Sequence, residues 1–158
     1  MNADLKEKLQ FAHVFEEHVY VTDEDLIERI IAGTYDSGRF DGVGKYITSR
    51  FYSEKIALFA IEKTLILNEG GIKEWLRFGT GKRFVVSASC KSSIGKGFAK
   101  GTRFSDGGYE THKCVVVLEA DAHYRNYSIV TAYPVPNAAT MKKIQEDRNI
   151  FCAKRRTQ

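Results

Sequence analysis

Cysteine is scarce in this chain of 158 residues, and the three present, Cys90, Cys114 and Cys152, form no CxxC pair. An odd, scattered set excludes a disulfide framework and a zinc ribbon, and suits a reducing interior. Long apolar runs are also missing: no stretch reaches eighteen residues, and the N-terminus, MNADLKEKLQFAHVFEEHV, has no apolar signal core. Neither a signal peptide nor a membrane span is expected. No internal repeat and no low-complexity segment is present. Charge is nearly balanced, with 24 Lys and Arg against 20 Asp and Glu, so the net +4 suits an anionic partner without demanding one. With 43% hydrophobic residues the chain can bury a core, and its length fits one domain, residues 1–158.

The front of the chain reads as helices. Leu5, Leu9, Ala12 and Val14 or Phe15 recur at helical spacing and predict one helix from Asp4 to about Val19, with His13 and His18 in its last turns. Thr22 predicts an N-cap, followed by acidic residues that suit the first turn of a helix from Asp25 to about Ala32, ended by Gly33. GTYDSGRFDGVG, residues 33–44, is turn-rich. A short strand through Tyr46 and Ile47 follows. Ser53 predicts the cap of a third, strongly apolar helix stopping near Asn68, Gly70 and Gly71, and Ile72 to Phe78 a shorter one.

The period then changes from helical to alternating. Arg83–Cys90, Gly95–Arg103, Lys113–Ala120 and Tyr127–Val135 read as strands rich in Val, Phe, Tyr and Thr, separated by turns such as SDGG and DAHYRN. Strands joined in sequence predict an antiparallel sheet of about four or more strands. Helices first and strands second is the α+β pattern, with the helices on one side or end of the sheet. Residues 137–158 add a short helix and a basic tail, Lys154, Arg155 and Arg156.

Histidine exchanges protons near neutrality because its ordinary pKa is roughly 6.5, so each of the four carries a candidate role. His13 and His18 are five apart, about 140° round a helix, which rules out an i,i+4 metal pair. Arg29 follows eleven residues after His18, and the break at residues 19–23 lets its helix fold back so that the guanidinium faces the imidazole. A solvated arginine is equally consistent with its position. In SIVTAYP, a period of two places Tyr127, Ile129, Thr131 and Tyr133 on one face, presenting the Thr131 and Tyr133 hydroxyls side by side. Both are also ordinary strand formers. His123, in the turn DAHYRNY, is a rival acid, and His112 reads as a strand-edge residue.

HV at 18–19 followed by TDEDLIERI, then AIEKTLILN leading to IKEWL, and finally YSIVTAYPVP, in that order, resemble the bacterial RNase A-like toxin domains. Such domains end contact-dependent growth inhibition proteins and related polymorphic toxins. The resemblance spans about residues 11–136, leaving 137–158 as an extension, and the glycine-rich segment from Gly33 to Gly44 departs from it. It implies a helix-then-sheet layout like ribonuclease A without disulfides, and an active site of His18, Arg29, Thr131 and Tyr133. It implies metal-independent RNA cleavage with no cofactor, an RNA substrate with tRNA as one candidate, a cognate immunity protein as partner and a monomeric toxin. The parent effector would be secreted or displayed at the cell surface, and the domain would act in the target-cell cytoplasm.

The residue types suit that chemistry. Metal-free cleavage needs a base for the 2′-OH, for which His18 fits, and a permanent cation for the charge growing on phosphorus, for which the planar Arg29 fork fits. A phenol with an ordinary pKa near 10 is a reluctant acid, so Thr131 and Tyr133 are read mainly as hydrogen-bond donors to the phosphate. Lys91, Lys96, Lys100, Arg103 and Arg125 are candidate phosphate contacts. GKGFAKG lacks the P-loop spacing. A noncatalytic RNA-binding module, or an interaction domain with no nucleic-acid role, remains the alternative.

Overall fold

The computed structural model describes residues 3–32 and 47–156. Two helices open it, α1 (Ala3–Phe11) and α2 (Val14–His18), where the periodicity predicts one. His13 separates them in a left-handed conformation, φ 57° and ψ 28°, an uncommon state for a residue with a side chain. Leu5 and Leu9 of α1, and Val14 and Phe15 of α2, are all buried. The turn between them lets both short helices drive their apolar residues into the same core.

Helix α3 (Asp23–Ala32) starts two residues earlier than predicted but on the predicted cap. Thr22 Oγ1 accepts from the Asp25 N–H at 3.1 Å while the Asp25 carboxylate accepts from the Thr22 N–H at 2.9 Å, a reciprocal capping box. The turn-rich segment 33–44, Gly33 as helix end, and Tyr46 lie outside the described residues. Strand β1 (Ile47–Phe51) follows, then α4 (Glu54–Leu67), whose cap Ser53 accepts from the Ile56 N–H at 3.2 Å. Helix α5 (Glu69–Phe78) begins immediately after Asn68 and contains Gly70 and Gly71, so the glycines expected to stop α4 lie inside the next helix. Neither meets a crowded neighbour that a turn would have to avoid.

The strands are β2 (Arg83–Ser89), β3 (Gly95–Ala99), β4 (Tyr109–Thr111), β5 (Lys113–Ala120) and β6 (Tyr127–Val135). The α+β class holds, but the single sheet does not: there are two antiparallel sheets of three strands, β1-β3-β4 and β2-β5-β6. Strand β3 pairs with β1 because Gly95 and Gly97 let it approach. A side chain on Gly95 would run into the Arg50 carbonyl, and one on Gly97 would sit 2.7 Å from that of Thr48. The chain crosses between sheets at His112, whose N–H donates to the Val135 carbonyl at 3.3 Å and whose carbonyl accepts from Cys90 at 2.7 Å.

On β5, Cys114, Val116, Leu118 and Ala120 face a core shared with α1, α2, α4 and α5, which includes Leu9, Phe15, Ala57, Ile61 and Trp75. Burying each large apolar side chain contributes roughly 1.5–3 kcal/mol before chain entropy is charged. A smaller cluster, Val21, Leu26, Ile30 and Phe98, joins α3 to β3. The last helix, α6 (Ala138–Arg156), is not short: its 19 residues take in Lys154, Arg155 and Arg156, expected as a tail. Asn137 accepts from the Thr140 N–H at 2.9 Å, and Ile144 is buried, anchoring one face.

Candidate active site

Helix α2 is one turn long, and its apolar pair Val14 and Phe15 fixes where its last residue, His18, must lie. The imidazole is mostly covered, with 18% of its side chain exposed. Nδ1 lies 3.5 Å from the Ser49 carbonyl, and Nε2 lies 3.3 Å from Thr131 Oγ1. A carbonyl oxygen only accepts, so the proton is assigned to Nδ1, and Nε2 presents its lone pair to the threonine hydroxyl, which donates. That is the tautomer a general base needs. The Glu17 carboxylate is 3.8 Å from Nε2, close enough to stabilise the charge the ring gains when it takes up a proton.

Thr131 and Tyr133 are brought to this imidazole, the tyrosine ring centroid lying 5.8 Å from that of His18. Their strand differs from the predicted one in one respect. Thr131 stands opposite Val117 but Ile129 stands opposite Leu118, so Val130 is an extra residue, a β-bulge. Tyr127 and Ile129 therefore pack toward the core, as do Ala132 and Pro134, while Thr131 and Tyr133 point to the other side of the sheet. The expected shared face of Tyr127, Ile129, Thr131 and Tyr133 is thus corrected. The hydroxyl pair survives because both members follow the bulge.

Arg29 is 8% exposed on α3, and Nη1 donates to the Glu17 carbonyl at 3.0 Å. The helix folds back as the sequence suggests, and its guanidinium reaches the main chain next to His18. Helix α3 is pinned by its first residue. Asp23 receives Lys96 Nζ at 2.8 Å and Arg50 at 3.2 Å, and burial, which raises its pKa, is outweighed by these two cations, which hold the carboxyl below its ordinary value. Thr48 Oγ1 donates to the Leu26 carbonyl at 2.8 Å as a further tie.

The remaining candidates lie elsewhere. His13 is exposed and bonded to Glu16 at 3.0 Å; His123 sits on an exposed turn organised by Asp121. His112 marks the crossing between sheets. Lys96, expected at a phosphate, is engaged by Asp23, and Arg103 lines a cavity of about 450 Å³ against α6 that none of the four site residues enters. Lys91, Lys100 and Arg125 are exposed.

Sequence reasoning missed Ser49, and Glu17 beside His18 went unweighed. Ser49 accepts from His18 and donates its own hydroxyl to the Pro134 carbonyl at 2.6 Å, joining β1 to the strand that carries both hydroxyls. No spacing signal links it to His18, which lies 31 residues earlier. Among the described residues no group of three or more His, Cys, Asp or Glu is placed to hold a metal ion, and no helix is long and apolar enough to cross a membrane.

Helices ahead of two antiparallel sheets, with an imidazole set against hydroxyls on a sheet strand, define an α+β domain with a candidate acid–base site. The chain matches the family described as Bacterial CdiA-CT RNAse A domain over residues 12–134, and it belongs to that family of contact-dependent inhibition toxin domains. Its fold is similar to a chain in the crystal structure of the CdiA-CT/CdiI complex from Y. kristensenii 33638, with a TM-score of 0.65 and 19% identity, covering 78% of this chain and 99% of that one. No curated protein sequence matches. CdiA-CT domains are the C-terminal parts of secreted contact-dependent effectors. Helix α6 lies outside the matched span.

Proposed function

We propose that this domain is an endoribonuclease toxin that cuts RNA by attack of a ribose 2′-OH on the adjacent phosphorus, without a metal. The observation that carries this reading is the His18 imidazole, held by the Ser49 carbonyl with its lone pair turned toward Thr131. His18 Nε2 takes the 2′-OH proton, the 2′ oxygen bonds to phosphorus, and the bond to the 5′ oxygen breaks. The products are a 2′,3′-cyclic phosphate and a 5′-OH, the leaving oxygen being protonated with help from the Tyr133 phenol or from water.

In the substrate complex the 2′-OH replaces Thr131 as donor to Nε2, which turns the threonine hydroxyl to a phosphate oxygen. Arg29 supplies a charge that persists at every physiological pH and stabilises the phosphorane best where surrounding protein excludes water. Glu17 supports the imidazolium until its proton passes, through water, to the phenolate or hydroxide left by protonation of the 5′ oxygen. A cognate immunity protein, covering the cleft with acidic groups, is the partner that suits these cations. Delivery as part of a larger effector and action on RNA in the target-cell cytoplasm complete the reading.

Incubating total RNA with the pure domain in EDTA tests it. Fragments ending in 2′,3′-cyclic phosphate are expected, and none from His18→Ala. Binding without cutting would favour the noncatalytic RNA-binding module.

A further inference from the structure

The site continues sideways across its sheet. Opposite Thr131 on β5 is Val117, and opposite Val117 on β2 is Val85; the neighbouring row runs Tyr133, Val115, Ser87. Partners in an antiparallel ladder share a face, and strands lie ~4.8 Å apart, so Val117 is about one spacing and Val85 about two from Thr131. This is the side away from the core, since Cys114, Val116 and Leu118 take the buried side of β5. Val85 is 60% exposed, an unusual state for an apolar residue in mid-strand, and Val115 and Val117 are half-buried.

Beyond Val85 the face ends in charge. Arg83 and the adjacent Lys82 both reach one carboxylate, Glu119, at 3.8 and 3.5 Å, and both cations are well exposed. Two cations on one carboxylate leave net positive charge at the far end of an apolar strip that begins at the candidate catalytic hydroxyls.

We propose that this strip is a base shelf: the nucleobase next to the scissile phosphate lies flat on Val117 and Val85, and the following phosphate meets Arg83 and Lys82. The inference rests on the ribonuclease reading and names the part of the sheet, Val117 and Val85, on which the substrate's base is laid. In a duplex the base faces are buried against their neighbours, so only a loop, bulge or single strand can lay a base on a sheet. Aliphatic contact to a base face is tolerant of sequence, as stacking platforms are. Ser87, in the neighbouring row, sets a hydroxyl residue beside Val85 on the side away from Arg83.

Steady-state cleavage of one oligoribonucleotide, single-stranded and as a duplex, tests this. The single strand is expected to be cut and the duplex resisted. Val85→Asp is expected to raise KM by about tenfold, the scale of losing one stacked base, with kcat unchanged. Phe59→Asp, the same kind of exposed change on α4, leaves KM alone. Arg83→Ala lowers the salt dependence of binding by about one counterion. In His18→Ala, which binds without cutting, the oligonucleotide is expected to shift the amide resonances of residues 83–87 and 115–119. An unchanged KM for Val85→Asp, silent amides on the shelf, or equal cutting of duplex overturns the shelf while leaving the nuclease intact. Wild-type protein that shifts those amides but cuts nothing overturns the nuclease and keeps the shelf.

Discussion

The two sheets lean on different clusters. Around β2-β5-β6 the described residues form a broad apolar core that reaches four helices and takes in Phe51 at the end of β1, whereas α3 is joined to β1-β3-β4 through Val21, Leu26, Ile30 and Phe98, helped by polar ties from Asp23 and Thr48. The imidazole and the hydroxyls belong to the first region. The guanidinium belongs to the second. One candidate active site is therefore assembled from a stiff part and from a part whose position depends on ion pairs, and chemistry and stability should separate when either is perturbed.

The largest contrast comes from the stiff side. His18→Ala is expected to cut the cleavage rate by about 10²–10⁴-fold, the range of a lost general base, while the protein stays folded with a modestly lowered melting temperature, because the covered ring packs outside both apolar clusters. A calorimetric scan beside the rate assay checks both halves. Full activity in this variant would sink the base assignment.

Ile61→Ala, in the middle of α4 and fully buried, is expected to cost about 2–5 kcal/mol and to lower stability everywhere at once in a denaturant titration. Leu26→Ala empties the smaller cluster instead. Hydrogen exchange should then show α3 opening ahead of β5, which keeps its protection. Equal loss of protection in both would erase the distinction between the regions.

Thr131→Val keeps shape and removes the hydroxyl, with an expected rate loss of about ten- to a hundredfold, the worth of a hydrogen bond to a charged group. Tyr133→Phe, read the same way, separates the phenol from the ring; an unchanged rate takes the phenol out of the mechanism.

The smallest effect is the one confined to the polar side. Asp23 is depressed below its ordinary 3.8, so its contribution is present above that pH and is lost as pH falls through the lowered value. Being more than a third exposed, it is worth under about 1 kcal/mol. Asp23→Asn should lower the melting temperature slightly at neutral pH, and the gap to wild type should close in strong acid. A gap that widened in acid would reverse the sign assigned here.

The ends of β5 and β6 were legible to the residue, because alternation along a half-buried strand is a direct imprint of its two environments. So was the α3 cap, a local matter of Thr22 and Asp25. What was not legible is non-local or backbone-borne. Alternation does not say that β2 pairs with β5 while skipping β3, nor that Ser49 must meet an imidazole from another element. His13 carries no mark of its left-handed turn. The four candidate residues are named through family likeness more than through spacing, and the wrong company given to Thr131 and Tyr133 has one cause, the unseen residue at Val130.

That residue makes the curvature of the strand, and not its facing, the vulnerable quantity. Deleting Val130 would leave Ile129 opposite Leu118 and Thr131 opposite Val117 in an unbroken ladder, each side chain on its present side. A bulge bends its strand and sharpens the local twist, so the deletion is expected to shift where the two hydroxyls stand against the imidazole. A lost codon here would reach the candidate site without touching any of its members.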